Sequence, residues 1–164
     1  IYNYNPDIKL IAVLRNPIHR AFSHWNMERD KNREHRTFWK AIKEEEARLR
    51  DSGHKQDRTY SYLERGFYSD QIKQIRSFFN NDQILLLQNE SLRNDPNQVL
   101  AKVAQFLSIS SFDIVEHREI HARSYPIALS NEEHQFLNIF YNDEIIKLES
   151  LLGWDLSAWK AKND

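Results

Sequence analysis

Arg15 and Ser23 stand eight residues apart across a change of pattern that could build an anion site. Before Arg15 comes Leu10-Ile11-Ala12-Val13-Leu14, an unbroken apolar run, which predicts a strand covered on both faces in a parallel α/β sheet. Asn16-Pro17 then stops the run. Asn is a good N-cap and Pro suits the first helical position, so a helix is expected to start at Pro17. Ile18, Ala21, Phe22 and Trp25 recur at i, i+3, i+4 and i+7 and give that helix one apolar face. An Arg at the carboxyl end of a strand, followed directly by a helix start, brings a bidentate cation, first-turn amides and the positive end of a helix dipole to the edge where open α/β sheets bind ligands. Arg20 adds charge and Ser23 a hydroxyl donor. On chemistry alone Arg15 suits a phosphate-like anion, a carboxylate partner or bulk solvent.

The elements that must position these residues alternate in type. Residues 28–58 are dense in charge, with Phe38, Trp39, Ile42 and Leu49 as the only apolar anchors of a second helix, and read as a solvated helical excursion rather than a binding stripe. Gly53 marks its end or a loop. Ile72, Ile75, Phe78 and Phe79 have helical spacing, and Asn80-Asn81-Asp82 breaks that segment. Ile84-Leu85-Leu86-Leu87 reads as a second buried strand. After a polar stretch, Pro96 opens a helix carrying Val99, Leu100, Val103, Ala104 and Phe106. Residues 108–130 are irregular, and a last amphipathic helix with Leu137, Phe140, Tyr141, Leu148 and Leu151 ends near Gly153. Strand, helix, strand, helix is the rhythm of an α/β domain with a parallel sheet flanked by helices. No repeat, low-complexity tract or linker divides the chain, so residues 1–164 are expected to form one domain.

Composition narrows the chemistry. Lys and Arg total 23 against 24 Asp and Glu, so a net charge of −1 offers no general attraction to nucleic acid, and any anion site must be local. With no Cys there is no disulfide, thiolate metal site or Cys nucleophile; this fits a reducing, cytoplasmic setting. No stretch approaches the roughly 18 apolar residues of a membrane span. His117 and His121 have helical metal-ligand spacing, but no Glu of a His-Glu-x-x-His motif and no third ligand accompany them, so no metal is expected.

The segment from Arg15 through Ser23 resembles the 3′-phosphate-binding segment of the sulfotransferase superfamily. Other motifs follow in the same order. Arg65-Gly66-Phe67-Tyr68 with Gln71 is similar to the family's Gly-x-Tyr-x-x-Gln helix start, and residues 84–109 resemble its strand, Glu-x-Leu, Asp-Pro and Phe-Leu-Gly pattern, with Ser108 at the place of the Gly. The resemblance covers residues 7–155 and is closest to the bacterial and carbohydrate-type branch. It implies a P-loop NTPase-like fold and transfer of a sulfuryl group from 3′-phosphoadenosine 5′-phosphosulfate (PAPS) to a hydroxyl or amine of a carbohydrate or other small acceptor, leaving 3′-phosphoadenosine 5′-phosphate (PAP). Arg15 and Ser23 would hold the 3′-phosphate. Arg123 and Ser124, in His121-Ala122-Arg123-Ser124-Tyr125-Pro126, would join them from a late loop, the alternative being a solvated Arg in a packed loop. A member from a eukaryote would work in the Golgi lumen.

The family's Gly-rich 5′-phosphosulfate loop, with its Lys, belongs upstream of Arg15, and residues 1–9 do not supply it. The chain is therefore expected to be the C-terminal portion of a sulfotransferase domain, or one without that loop. The catalytic base is unassigned: His19, His24, His35, His54, His117, His121 and His134 each read as surface residues, while His54 and Glu64 precede Gly66 near the expected acceptor border. Glu90 either orders the turn after the second strand or acts as an acid. Trp25, Phe67 and Tyr68 could line an acceptor site, although their spacing favours core packing. A P-loop kinase fragment or a nucleotide-binding scaffold would share the strand-helix rhythm.

Overall fold

The computed structural model describes residues 1–53, 56–114, 116 and 127–160. The chain packs as two units, Ile1–Arg15 with Ile72–Ser124, and Asn16–Gln71 with Tyr125–Asp164.

The first unit holds the sheet. Strands β1 (Leu10–Leu14) and β2 (Ile84–Gln88) pair in parallel, with Leu10 opposite Ile84 and Leu14 opposite Gln88. Side chains alternate along β1, and the two faces differ. Leu14 is buried, whereas Ile11 and Val13 are 41% and 47% exposed. The expectation of a strand covered on both faces is met only in part: the Ile11 and Val13 side chains of β1 remain partly exposed. After β2 the chain forms two helices. The first, Asn89–Asn94, has no apolar periodicity and was not foreseeable from pattern; the second, Pro96–Leu107, begins as the sequence predicts, with Asp95 accepting a hydrogen bond from the Gln98 amide at 2.9 Å and Pro at its first position. This second helix buries Val99 and Ala104 and ends at Ser108, whose φ of 58° is left-handed. A Gly is at ease in that conformation, and Ser is less so.

The second unit is helical. Helix α1 (Pro17–Asp30) begins where Asn16-Pro17 predicts, with the Asn16 carboxamide oxygen accepting from the Ile18 amide at 2.9 Å. Its apolar face, including Ile18, Ala21, Phe22 and Trp25, is buried, and α1 packs against the long helix α7 (Asn131–Leu152). We number the intervening helices α2 (Phe38–Lys43), α3 (Glu45–Asp51), α4 (Tyr68–Arg76), α5 (Asn89–Asn94) and α6 (Pro96–Leu107). A Ser130–Glu133 capping box starts α7, and Gly153, at φ 65°, ends it. A short helix α8 (Ser157–Lys160) follows, anchored by buried Trp159, whose carbonyl accepts from the Asn16 side chain at 3.0 Å.

The charged excursion is less solvated than its composition implies. It forms two short helices, α2 and α3, and buries Glu28, Glu34 and Glu45. Glu34 accepts from the His35 and Arg36 amides at 3.0 Å each, from Arg48 at 2.8 Å and from the Tyr62 hydroxyl at 2.9 Å. Burial pushes its pKa up, but these hydrogen bonds outweigh burial and hold it below the usual carboxylate range. Glu45 accepts from the Leu63 and Glu64 amides at 2.6 and 2.8 Å, and burial raises its pKa. In the same way Glu144 of α7 accepts from the Ser69 amide and hydroxyl, both at 2.7 Å, capping the start of α4. These carboxylates tie distant loops down, which a charge count cannot reveal.

Candidate functional site

Arg15 directly follows β1 and is half-buried. Because β1 and β2 run in the same direction, Arg15 stands at their shared carboxyl edge, where the sequence places it. Ser23 lies half-buried in the second turn of α1. At about 100° per residue, Arg20, Ser23, His24 and Met27 share one side of that helix.

The first turn of α1 offers fewer donors than expected. Pro17 has no N–H and the Ile18 amide is taken by Asn16, so an anion there must rely on side chains more than on helix amides. Arg20 also differs from its expected role. Its guanidinium donates to the Tyr62 carbonyl, and it is held in the fold rather than offered as an additional free cation.

His24 is not the surface residue that composition implies. It is 7% exposed, and its ring meets Tyr62 edge to face at 5.1 Å. Burial, then the nearby charges of Arg20 and Arg65, lower its pKa to about 4, so the imidazole is neutral at pH 7. His134 is likewise buried. The i, i+4 spacing of Arg20 and His24 was the one available sign that they face the same neighbours.

The Gly66 motif has a steric cause. A Cβ at Gly66 would lie 2.5 Å from the Tyr141 hydroxyl oxygen and 2.8 Å from ring carbons Cε1 and Cζ. That hydroxyl donates to the Leu63 carbonyl at 2.7 Å, and Tyr141 is fully buried. Gln71 braces the same turn by donating to the Phe67 carbonyl at 2.9 Å. Trp25 and Tyr68 are core residues and Phe67 is half-buried against Phe140 and Tyr141, as their spacing favours. Glu64 sits in the Glu64–Gly66 turn with its amide bound to Glu45, and Glu90 occupies the first turn of α5. Arg123, Ser124, His54, His117 and His121 lie outside the described residues. Among the described residues no cluster of three or more metal-ligating side chains occurs, and no helix is long and apolar enough to cross a membrane.

A sulfotransferase domain family matches residues 2–142. The chain is 25% identical to the mouse bifunctional heparan sulfate N-deacetylase/N-sulfotransferase 4, over 94% of this chain and 20% of that protein. It is 28% identical to the Xenopus laevis bifunctional heparan sulfate N-deacetylase/N-sulfotransferase 1, with the same coverage. Among solved structures, a sulfotransferase from Alicyclobacillus acidocaldarius superposes with a TM-score of 0.84 at 28% identity, covering 98% of this chain and 60% of that one. The chain thus spans about a fifth of the length of these curated relatives. A parallel sheet ending in Arg15, a capped helix carrying Ser23, and a family match across most of its length together establish that the chain belongs to the sulfotransferase domain family.

Proposed function

We propose that this chain carries the 3′-phosphate-binding part of a PAPS-dependent sulfotransferase, with Arg15 and Ser23 as its ligands and Arg123 and Ser124 as further ligands from the late loop. The observation that carries the reading is the placement of Arg15 at the carboxyl edge of a parallel β1–β2 pair, two residues before a helix whose second turn carries Ser23. The donor set suits a phosphate: a guanidinium binds two oxygens at once and a hydroxyl binds a third. Because the first-turn amides of α1 are largely committed, Arg15 supplies most of the attraction.

In sulfuryl transfer the sulfur–oxygen bond to the 5′-phosphate breaks as a bond forms from sulfur to the acceptor oxygen or nitrogen. The acceptor's proton leaves to a base. The acceptor class is a carbohydrate hydroxyl or amine, supported by relatives named for heparan sulfate N-sulfotransferase activity. Transfer of radiolabelled sulfate from PAPS to heparan-type oligosaccharides by the intact protein tests this. Arg15→Ala should raise the KM for PAPS about tenfold or more and leave the acceptor KM unchanged. Equal turnover by the variant at low PAPS would overturn the assignment of Arg15.

A further inference from the structure

Helix α7 buries His134, Leu137, Tyr141, Ile145 and Leu148 on one side, yet its other side is not uniformly polar. There Ile139 is 72% exposed and Phe140 36% exposed, and half-buried Phe136 stacks on Phe140 with ring centroids 6.0 Å apart. Trp39 of α2 extends this apolar surface, its ring meeting Phe136 edge to face at 5.3 Å. Lys43, one turn further along α2, lies over both rings, its ammonium 4.2 Å from the Phe136 centroid and 4.9 Å from that of Trp39. A contiguous exposed apolar surface with a charged rim marks an interaction face.

The charges around this face identify what fits it. Among the described residues, no ion pair engages Lys43, Glu132, Asp143 or Lys147. At about 100° per residue, Glu132, Phe136, Ile139, Phe140, Asp143 and Lys147 fall within one stripe of α7 about 100° wide. Two copies of α7 crossing antiparallel about a two-fold axis between residues 139 and 140 bring Ile139 opposite Phe140 of the second copy. The same axis brings Asp143 opposite Phe136 of the second copy, over which the Lys43 ammonium lies, and Glu132 opposite Lys147. Symmetry repeats each pairing. The stripe is therefore complementary to itself, apolar at the axis and opposite in charge to either side, as an isologous interface requires. We propose that the outward face of α7, with Trp39 and Lys43 of α2, binds a second copy of this chain. A contact made by one helix and its flank is at the small end of specific interfaces, so the dimer forms at micromolar rather than nanomolar protein.

Sedimentation velocity of the intact protein across the micromolar range tests this, independently of Arg15 and of PAP. The wild-type protein should pass from monomer to dimer as its concentration rises. Ile139→Asp should raise the dissociation constant about tenfold or more. Lys43→Glu and Asp143→Lys should each weaken the dimer, and the double variant, which restores opposite charges across the axis, should bind tighter than either single one. Ile139, Lys43 and Asp143 are exposed, so these substitutions spare the core, and circular dichroism checks that each variant is folded. A wild-type protein that stays monomeric throughout, as it would if a different partner covered this face, would overturn the proposal. So would a dimer indifferent to Ile139→Asp, single charge reversals without effect, or a double variant no tighter than the single ones. The wild-type concentration series stands even where a variant is poorly folded.

Discussion

Replacing Gly66 by Ala tests the packing beneath the family motif. The added methyl would lie 2.5 Å from the Tyr141 hydroxyl and 2.8 Å from its ring, and Tyr141 is fully buried in the second unit. Either the ring moves and gives up its 2.7 Å hydrogen bond to the Leu63 carbonyl, or the 63–66 turn shifts and strains the Glu45 bonds to the Leu63 and Glu64 amides. Overpacking of this kind costs about 1–3 kcal/mol. A buried carbonyl left without its donor costs about 1–3 kcal/mol more. The backbone at Gly66 is not left-handed, so Ala gains about 0.4–1 kcal/mol from a less flexible unfolded chain. The net expectation is a loss of about 2–4 kcal/mol, or roughly 5–15 °C in Tm for a chain of this size. Urea and thermal unfolding followed by circular dichroism would measure it. Tyr141→Phe, which deletes the bond and the closest contact, should be partly redundant with Gly66→Ala, so the double variant should lose less than the sum. Stability of Gly66→Ala within 0.5 kcal/mol of the parent, or strict additivity, would refute the reasoning.

Two further predictions follow from the fold. Ser108→Gly should stabilise by about 0.5–1 kcal/mol, because Ser108 closes α6 in the left-handed region; no gain in urea midpoint would show that its own interactions offset the strain. His24 is neutral in the fold with a pKa of about 4, against 6.5 when free, so the unfolded chain binds more protons between those values. Stability should therefore be full above pH 6.5 and fall as the pH drops toward 4, by at most about 3 kcal/mol from this group; His24→Asn should flatten that limb, and identical pH slopes for both proteins would contradict it.

The sequence was most legible where local chemistry punctuates the chain. Asn16-Pro17, Asp95-Pro96 and Gly153 mark element ends by capping and by forbidden or permitted φ, and the structure places boundaries there. The positions of Arg15 and Ser23 in the chain were legible for the same reason, since the strand-to-helix switch fixes which element carries each. Helices α5 and α8 were not, because Asn89–Asn94 has no apolar stripe and Ser157–Lys160 is too short to show one; each forms through neighbours, α5 against β2 and α6, α8 through Trp159 and Asn16. The buried roles of Glu34, Glu45, Glu144 and His24 were equally hidden. A charge on the page looks solvated until the chain brings amides or arginines from a distant segment to meet it, as Leu63 meets Glu45 and Ser69 meets Glu144. The covering expected for both faces of β1 is partial, because an apolar run shows what a strand can bury, not how fully it is buried.

The central claim is that Arg15 reads a 3′-phosphate, and calorimetric titration of the intact protein with PAP and with 5′-AMP tests it most directly. PAP should bind clearly tighter, and Arg15→Ala should lose roughly ten- to a hundredfold of PAP affinity together with most of the preference, as expected for a charge-assisted phosphate contact of about 1.5–3 kcal/mol. Equal binding of the two nucleotides by the folded wild-type protein, or a preference undiminished in Arg15→Ala, would contradict the account.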